Sequence, residues 1–165
     1  MKPFDPHALQ SIYLSPLGRM YVLANDHALL GLWFEGQEHF PALDAFASVR
    51  THPVHDMAHA QLDAYFLQQR QVFSLPVDYS VGTAFQQAVW RQLTLISPGQ
   101  TTSYAAIALA IGKQAAVRAV GGAVGRNPLS IVVPCHRVIG SNGAMTGYAG
   151  GLPRKIALLQ LESAI

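Results

Sequence analysis

Apolar and polar positions change rhythm once along the chain. In "SIYLSPLGRMYVLANDHALLGLWFE" (residues 11–35) apolar runs are broken by "SPLG" and "NDH", both turn-forming. Three strands are expected near 11–15, 19–24 and 28–34, joined by short loops into an antiparallel meander. From residue 55 the period lengthens. "HDMAHAQLDAYFLQQR" (55–70) sets Leu62, Tyr65, Phe66 and Gln69 at helical spacing, with Asp56 near its start and Arg70 at its end. "VFSLPVDYSVG" then reads as an extended linker, and Pro76 and Gly82 mark a domain boundary.

Beyond it the chain is mostly helical. Thr83 can cap a helix from about 84 to 96, whose Phe85, Val89, Leu93 and Ile96 fall on one stripe. "TTS" offers hydroxyl caps for a short helix near 103–110, which Gly112 ends. A second helix follows near 114–125, until Asn127-Pro128 breaks it. Two short helices joined by a glycine-containing turn outline a helix-turn-helix. "LSIVV" (129–133) reads as a buried strand ending at Pro134. "GSNGAMTGYAGG" (140–151) holds five glycines and reads as a sharply folded loop. A last helix runs from near Pro153 to Glu162. The whole is α+β: a small antiparallel sheet with a helix in residues 1–80, then a mainly helical domain in 81–165.

Composition narrows the class. Half of the 165 residues are apolar and 12% are charged, so the chain can bury a core. No apolar run reaches the length of a membrane span, and "MKPFDPHALQ" lacks a signal-peptide apolar region. The one cysteine cannot form an internal disulfide and fits a reducing cytoplasm. The net charge of +2 hides an asymmetry: residues 1–81 carry four Lys/Arg against eight Asp/Glu, and residues 82–165 carry seven against one. A basic half points toward a polyanion, though an unevenly charged surface gives the same count.

Cys135, in "PCHRVIG", has three readings. It can be a small buried hydrophobe. It can be a metal ligand, but no second cysteine exists to build the usual zinc site. It can be a nucleophile: His136 and Arg137 adjoin it, and cations lower a thiol's pKa. His52, His55 and His59 form a separate cluster. His55 and His59 are one helical turn apart, but no carboxylate or cysteine stands at ligand spacing, so exposed histidines on a helix face are expected and no metal.

The helix "QAAVRAVGGAVGRN" has almost no side-chain bulk. Gly121 and Gly122 cost it about 1 kcal/mol each relative to alanine. Close helix packing is one reason to keep them. Entry into a narrow groove is the other, and the minor groove of DNA is narrow. Arg118 would then be the long side chain that reaches the base stack. A thiolate working on a base needs that base extruded.

"GTAFQQAVW", "SYAAIA", "RAVGGAVGRNP", "IVVPCHRVIG", "GYAGG" and "RKIALLQLE", in this order across residues 82–162, resemble the O6-alkylguanine-DNA alkyltransferases. The resemblance implies a ribonuclease-H-like domain over 1–80 and a winged-helix-like DNA-binding, alkyl-acceptor domain over 81–165. It implies that Cys135 accepts an alkyl group from O6 of guanine, or from O4 of thymine, irreversibly and once per molecule. His136 would be its base through a water, Glu162 would orient that histidine, and Asn127 would brace the turn between helix and active site. Arg118 would be the finger that fills the gap left by the flipped nucleotide, and Tyr104 would help to rotate it. Thr101, Ser103, Ala119, Gly121, Gly122 and Arg126 complete the DNA-binding set; Val124, Val138, Tyr148 and Ala149 wall the base pocket. The implied partner is double-stranded DNA carrying O6-alkylguanine, with no membrane partner and no cofactor or metal. The implied protein is a cytoplasmic monomer with room to cluster on DNA. Gln114 stands where the family often has proline, "SPG" replaces "PYG" or "PAG", and Ala149 lacks the hydroxyl of members with serine. Two rivals remain: a non-catalytic binder of damaged DNA, though such relatives lack this cysteine, and a thiol hydrolase that turns over.

Overall fold

The computed structural model describes residues 2–165. Its first part is a four-stranded sheet in the order β3-β2-β1-β4. β1 (Leu9–Ser15) and β2 (Gly18–Ala24) form a hairpin, with Ser15 opposite Gly18. Gly18 takes a φ of +115°, which only glycine adopts without strain. β3 (Leu29–Phe34) runs antiparallel to β2 and is buried along its whole length, which explains its unbroken apolar run. The short β4 (Ala47–Ser48) pairs parallel with β1 and had no signal in the sequence.

One sheet face packs on α1 (Pro53–Phe66) through Ala58, Leu62 and Tyr65. The helix begins two residues before the expected position, because Pro53 supplies a preset φ in its first turn. It ends four residues early, where Gln68 turns left-handed. The other face is closed by Leu23, Leu30, Trp33 and Leu43, with Phe40 and Phe46 against them.

The helical part keeps to its caps. α2 (Ala84–Leu93) opens with a complete capping box, Thr83 bonded to Gln86 in both directions. It stops three residues short of Ile96. Gly82 lies so close to Trp90 that a Cβ there would fall 2.3 Å from the ring. The residues "TS" form β5 (Thr102–Ser103), and Ser103 caps α3 (Tyr104–Ala110). The helix expected over 114–125 is split: residues 114–116 make one 3₁₀ turn, and α4 (Val117–Gly125) follows. Trp90 Nε1 donates to Ala123 O at 2.9 Å and clamps α2 to α4.

The strand expected over 129–133 does not form. Leu129 makes a single parallel bridge to Leu32, and the chain then curls. Asn127 causes this. Its Oδ1 accepts from the Leu129 N–H, and its Nδ2 donates to Leu129 O and Val133 O. A side chain that satisfies three backbone groups competes with a ladder and wins. Ile131 takes a φ of +71° in the same loop, where a β-branched residue is strained. The loop delivers Cys135 onto a 3₁₀ turn, residues 135–137, followed by β6 (Val138–Ile139) parallel to β5. α5 (Leu152–Leu161) closes the chain, with Glu162 at its C-cap.

Candidate active site

Asn127, Cys135, His136 and Glu162 meet at the junction of the Asn127 loop, the 3₁₀ turn and the end of α5. Cys135 is 5% exposed and lines a cavity of about 320 Å³. The Nδ2 of Asn127 lies 3.1 Å from its Sγ. Burial pushes the thiol pKa up; the Asn127 bond and the Lys155 charge oppose this without overcoming it. The expectation of a thiol acidified by Arg137 is therefore overturned. Arg137 is turned away: its Nε and Nη2 donate to both oxygens of Glu162, and Nη1 donates to Ile96 O. The resting sulfur is a protonated thiol that needs a base.

His136 is fully buried, and its Nε2 lies 2.9 Å from Glu162 Oε1. Burial raises the carboxyl pKa of Glu162, but bonds from His136, Arg137 and Tyr65 outweigh it and bring it down to about 2. An ionised carboxylate only accepts, so Nε2 carries the hydrogen and Nδ1 keeps its lone pair. Nδ1 is buried and has no protein hydrogen-bond partner among the described residues. Burial also lowers the pKa of the imidazole. The result is a neutral, oriented imidazole with a free acceptor nitrogen, as a general base requires.

Two members of this group lacked a proposal from sequence. Tyr65 reaches across from α1 and donates to Glu162 Oε1 at 2.7 Å. Lys155 is fully buried, and its Nζ donates to the carbonyls of Val138, Thr146 and Gly147. Lys155 had a signal. It stands with Leu158, Leu159 and Glu162 on one face of α5, and a lysine on an apolar stripe is rare unless paired. Tyr65 had none beyond its helical spacing.

The remaining candidates distribute around the cavity. Gly121, Gly122 and Val124 of α4, with Arg126 at its C-cap, form one wall; Tyr104, Tyr148 and Ala149 form another. Tyr104 donates to Thr146 O at 3.3 Å. The Val138 side chain is buried outside the cavity lining, and its carbonyl is taken by Lys155. Arg118 and Ala119 lie exposed on α4, and Thr101 and Ser103 stand half-buried before α3. Glu38 and His39 also line the cavity, a contribution from the first part that sequence reading missed.

The histidine cluster differs from the expectation of an exposed face. His55 is buried, and its Nδ1 lies 2.6 Å from Ser11 Oγ, which also meets His59 Nε2 at 3.1 Å. Among the described residues no group of His, Cys, Asp or Glu is placed to hold a metal. No helix among them is long and apolar enough to cross a membrane.

Comparison with known proteins gives the geometry a context. Residues 84–164 match the family model "6-O-methylguanine DNA methyltransferase, DNA binding domain", and residues 9–79 match its "ribonuclease-like domain". A "Methylated-DNA--protein-cysteine methyltransferase" of Haemophilus influenzae is 40% identical over 150 residues, covering 91% of this chain and 83% of its own length. One of Mycobacterium tuberculosis H37Rv is 43% identical over 155 residues, covering 91% and 89%. The crystal structure of Mycobacterium tuberculosis OGT in complex with DNA superposes with a TM-score of 0.85 at 40% identity, covering 93% of this chain and 91% of that one.

Proposed function

The chain belongs to the 6-O-methylguanine DNA methyltransferase family, and on that premise we propose that Cys135 is its alkyl acceptor. The protein binds DNA and repairs it by direct reversal, moving an alkyl group from the DNA onto a cysteine of its own. One observation carries the assignment. The chain has a single cysteine, and that cysteine lines the cavity.

The chemistry follows from the groups around it. The Cys135 proton passes through a water to Nδ1 of His136, and Glu162 stabilises the imidazolium. The thiolate attacks the alkyl carbon. The Sγ–C bond forms as the C–O6 bond breaks, and the electron pair goes to the guanine oxygen. The guanine then takes up the proton, so thiol and O6-alkylguanine become thioether and guanine with nothing left over. A thioether is not hydrolysed, so each molecule acts once. Lys155 favours the thiolate and fixes the carbonyls of the 140–151 loop. We take O6-alkylguanine in duplex DNA as the substrate, with O4-alkylthymine second. We read residues 1–80 as the supporting domain and 81–165 as the DNA-binding domain of a cytoplasmic monomer that can cluster on DNA.

Intact-mass measurement after incubation with an O6-methylguanine duplex tests this. One added methyl per chain is expected, with a plateau at one equivalent of repaired guanine. Continued product beyond one equivalent would favour a hydrolase, and an unchanged mass with unrepaired DNA would refute alkyl transfer.

Minor-groove entry by α4 is supported by its glycines. A Cβ on Gly121 would meet only Tyr104 at 3.9 Å, and one on Gly122 only Arg126 at 3.4 Å. Packing inside the protein therefore does not require either glycine, and both line the cavity, which favours an approaching ligand surface as the reason. Gly121→Ala is expected to stabilise the folded chain by about 1 kcal/mol yet slow repair of duplex DNA. Thermal unfolding and a single-turnover repair assay, run on the same protein, check the two signs.

Arg118 is exposed and free to enter the stack once the nucleotide swings out. Arg118→Ala is expected to slow repair in duplex on the order of tenfold or more, the cost of unstacking no longer being offset. Reaction with free O6-benzylguanine should change far less. Equal losses in both assays would remove the finger role.

A further inference from the structure

The first part of the chain reaches the cavity at one place, the loop after β3. One bond closes that loop on the end of β3, and two tie it to the second part of the chain. Gln37 Oε1 accepts from the Phe34 N–H at 2.9 Å and from the Ser130 hydroxyl at 3.1 Å. The Glu38 N–H donates to Ala149 O at 2.9 Å. Ser130 is buried in the Asn127 loop that presents Cys135, and Ala149 belongs to the opposite wall beside Tyr148. The loop is therefore bonded both to the segment that presents Cys135 and to the Tyr148–Ala149 wall. At its tip His39 lines the cavity with a φ of +61°, and Gly36 behind it has a φ of +69°. Histidine is among the residues that tolerate a positive φ, so the turn is accessible to residue 39.

We propose that Glu38 and His39, on the loop anchored by Gln37, are the specificity-determining wall that limits the size of the alkyl group reaching Cys135. This rests on the alkyl-transfer reading above. A methyl group needs no space beyond the sulfur. A benzyl group needs more of the cavity, whose lining includes Glu38 and His39 on the loop held by the Gln37–Ser130 and Glu38–Ala149 bonds. The bonds that fix the loop come from backbone and from the buried Gln37 and Ser130 side chains, and the exposed Glu38 and His39 side chains stand at the cavity mouth they hold in place. The pocket's upper size limit is thereby set by the first domain, although the acceptor belongs to the second.

The experiment compares second-order repair rates for duplexes carrying O6-methylguanine and O6-benzylguanine. His39→Gly keeps the left-handed backbone available and removes the ring. It is expected to raise the benzyl-to-methyl rate ratio about tenfold, the scale on which a pocket discriminates by small changes in bulk. His39→Asn, which also tolerates a positive φ, should raise the ratio less and separates lost volume from a loosened loop. A ratio that stays at the wild-type value, or falls, in both variants overturns the proposal, the rates being taken per folded molecule from the fraction of chain that the methyl duplex labels at the plateau. A wild-type protein that gains no methyl would instead defeat the alkyl-transfer reading itself.

Discussion

Cys135→Ala is expected to gain no mass from an O6-methylguanine duplex, while its fold and its affinity for that duplex persist. The loss should reach the detection limit, on the order of 10⁶-fold, because no second nucleophile can replace the sulfur. The chain has no other cysteine, and His136 is not among the residues that line the cavity. The fold should survive because the sulfur is not what holds the loop. Asn127 Nδ2 keeps Val133 O at 2.8 Å and Leu129 O at 3.3 Å when the contact to Sγ is lost. Removing a buried sulfur leaves only a small void beside a cavity that already exists. Intact-mass measurement, circular dichroism and a gel-shift titration with the lesion duplex read the three expectations separately. Methyl found on the alanine variant would move the acceptor away from residue 135.

The sequence carried the caps and the chemistry better than the connections. Thr83 and Ser103 were legible as caps because each hydroxyl sits just before an apolar period, and both cap as expected. The grouping of Cys135, His136, Asn127 and Glu162 was expected from the family resemblance of their motifs, while the residues alone left the thiol with three readings. What stayed hidden was long-range. Tyr65 bonds a residue 97 positions away, and Gln37 bonds one 93 positions away. Neither contact leaves a local trace. "LSIVV" read as a strand because β-branched and apolar residues dominate it. The competing signal was one residue upstream of the proline, in the amide of Asn127, which bends the backbone before a ladder can form. The thiol pKa failed for a related reason. Adjacency in sequence suggested that Arg137 acts on Cys135, but consecutive residues on a 3₁₀ turn diverge, and Arg137 is spent on Glu162.

Glu162→Gln is the variant in which catalysis and stability should fall together. The carboxylate takes hydrogen bonds from His136, Arg137 and Tyr65 and is 1% exposed. An amide has one oxygen to offer and brings two donors of its own. Arg137 is then a buried cation without its counter-ion, a change that typically costs about 3–5 kcal/mol. His136 loses the partner that fixes its tautomer and stabilises its charged form. Single-turnover methyl transfer should fall by about 10²–10⁴, the usual share of a general base. The assay belongs below the lowered melting temperature, so that unfolded protein does not count as inactive. The pH dependence separates this account from simple loss of packing. Glu162 titrates at 4.5 when unperturbed and at about 2 in the fold. A depressed carboxyl contributes stability that is complete above its unfolded pKa and is lost as pH falls toward its folded one, about 3 kcal/mol here. Wild-type stability should therefore drop between about pH 5 and 2 more steeply than that of Glu162→Gln, and the two curves should converge at the acid end. Parallel curves through that window would show that the carboxylate's charge does not hold this corner of the fold together, and that the triad of His136, Arg137 and Tyr65 around it is held by packing instead.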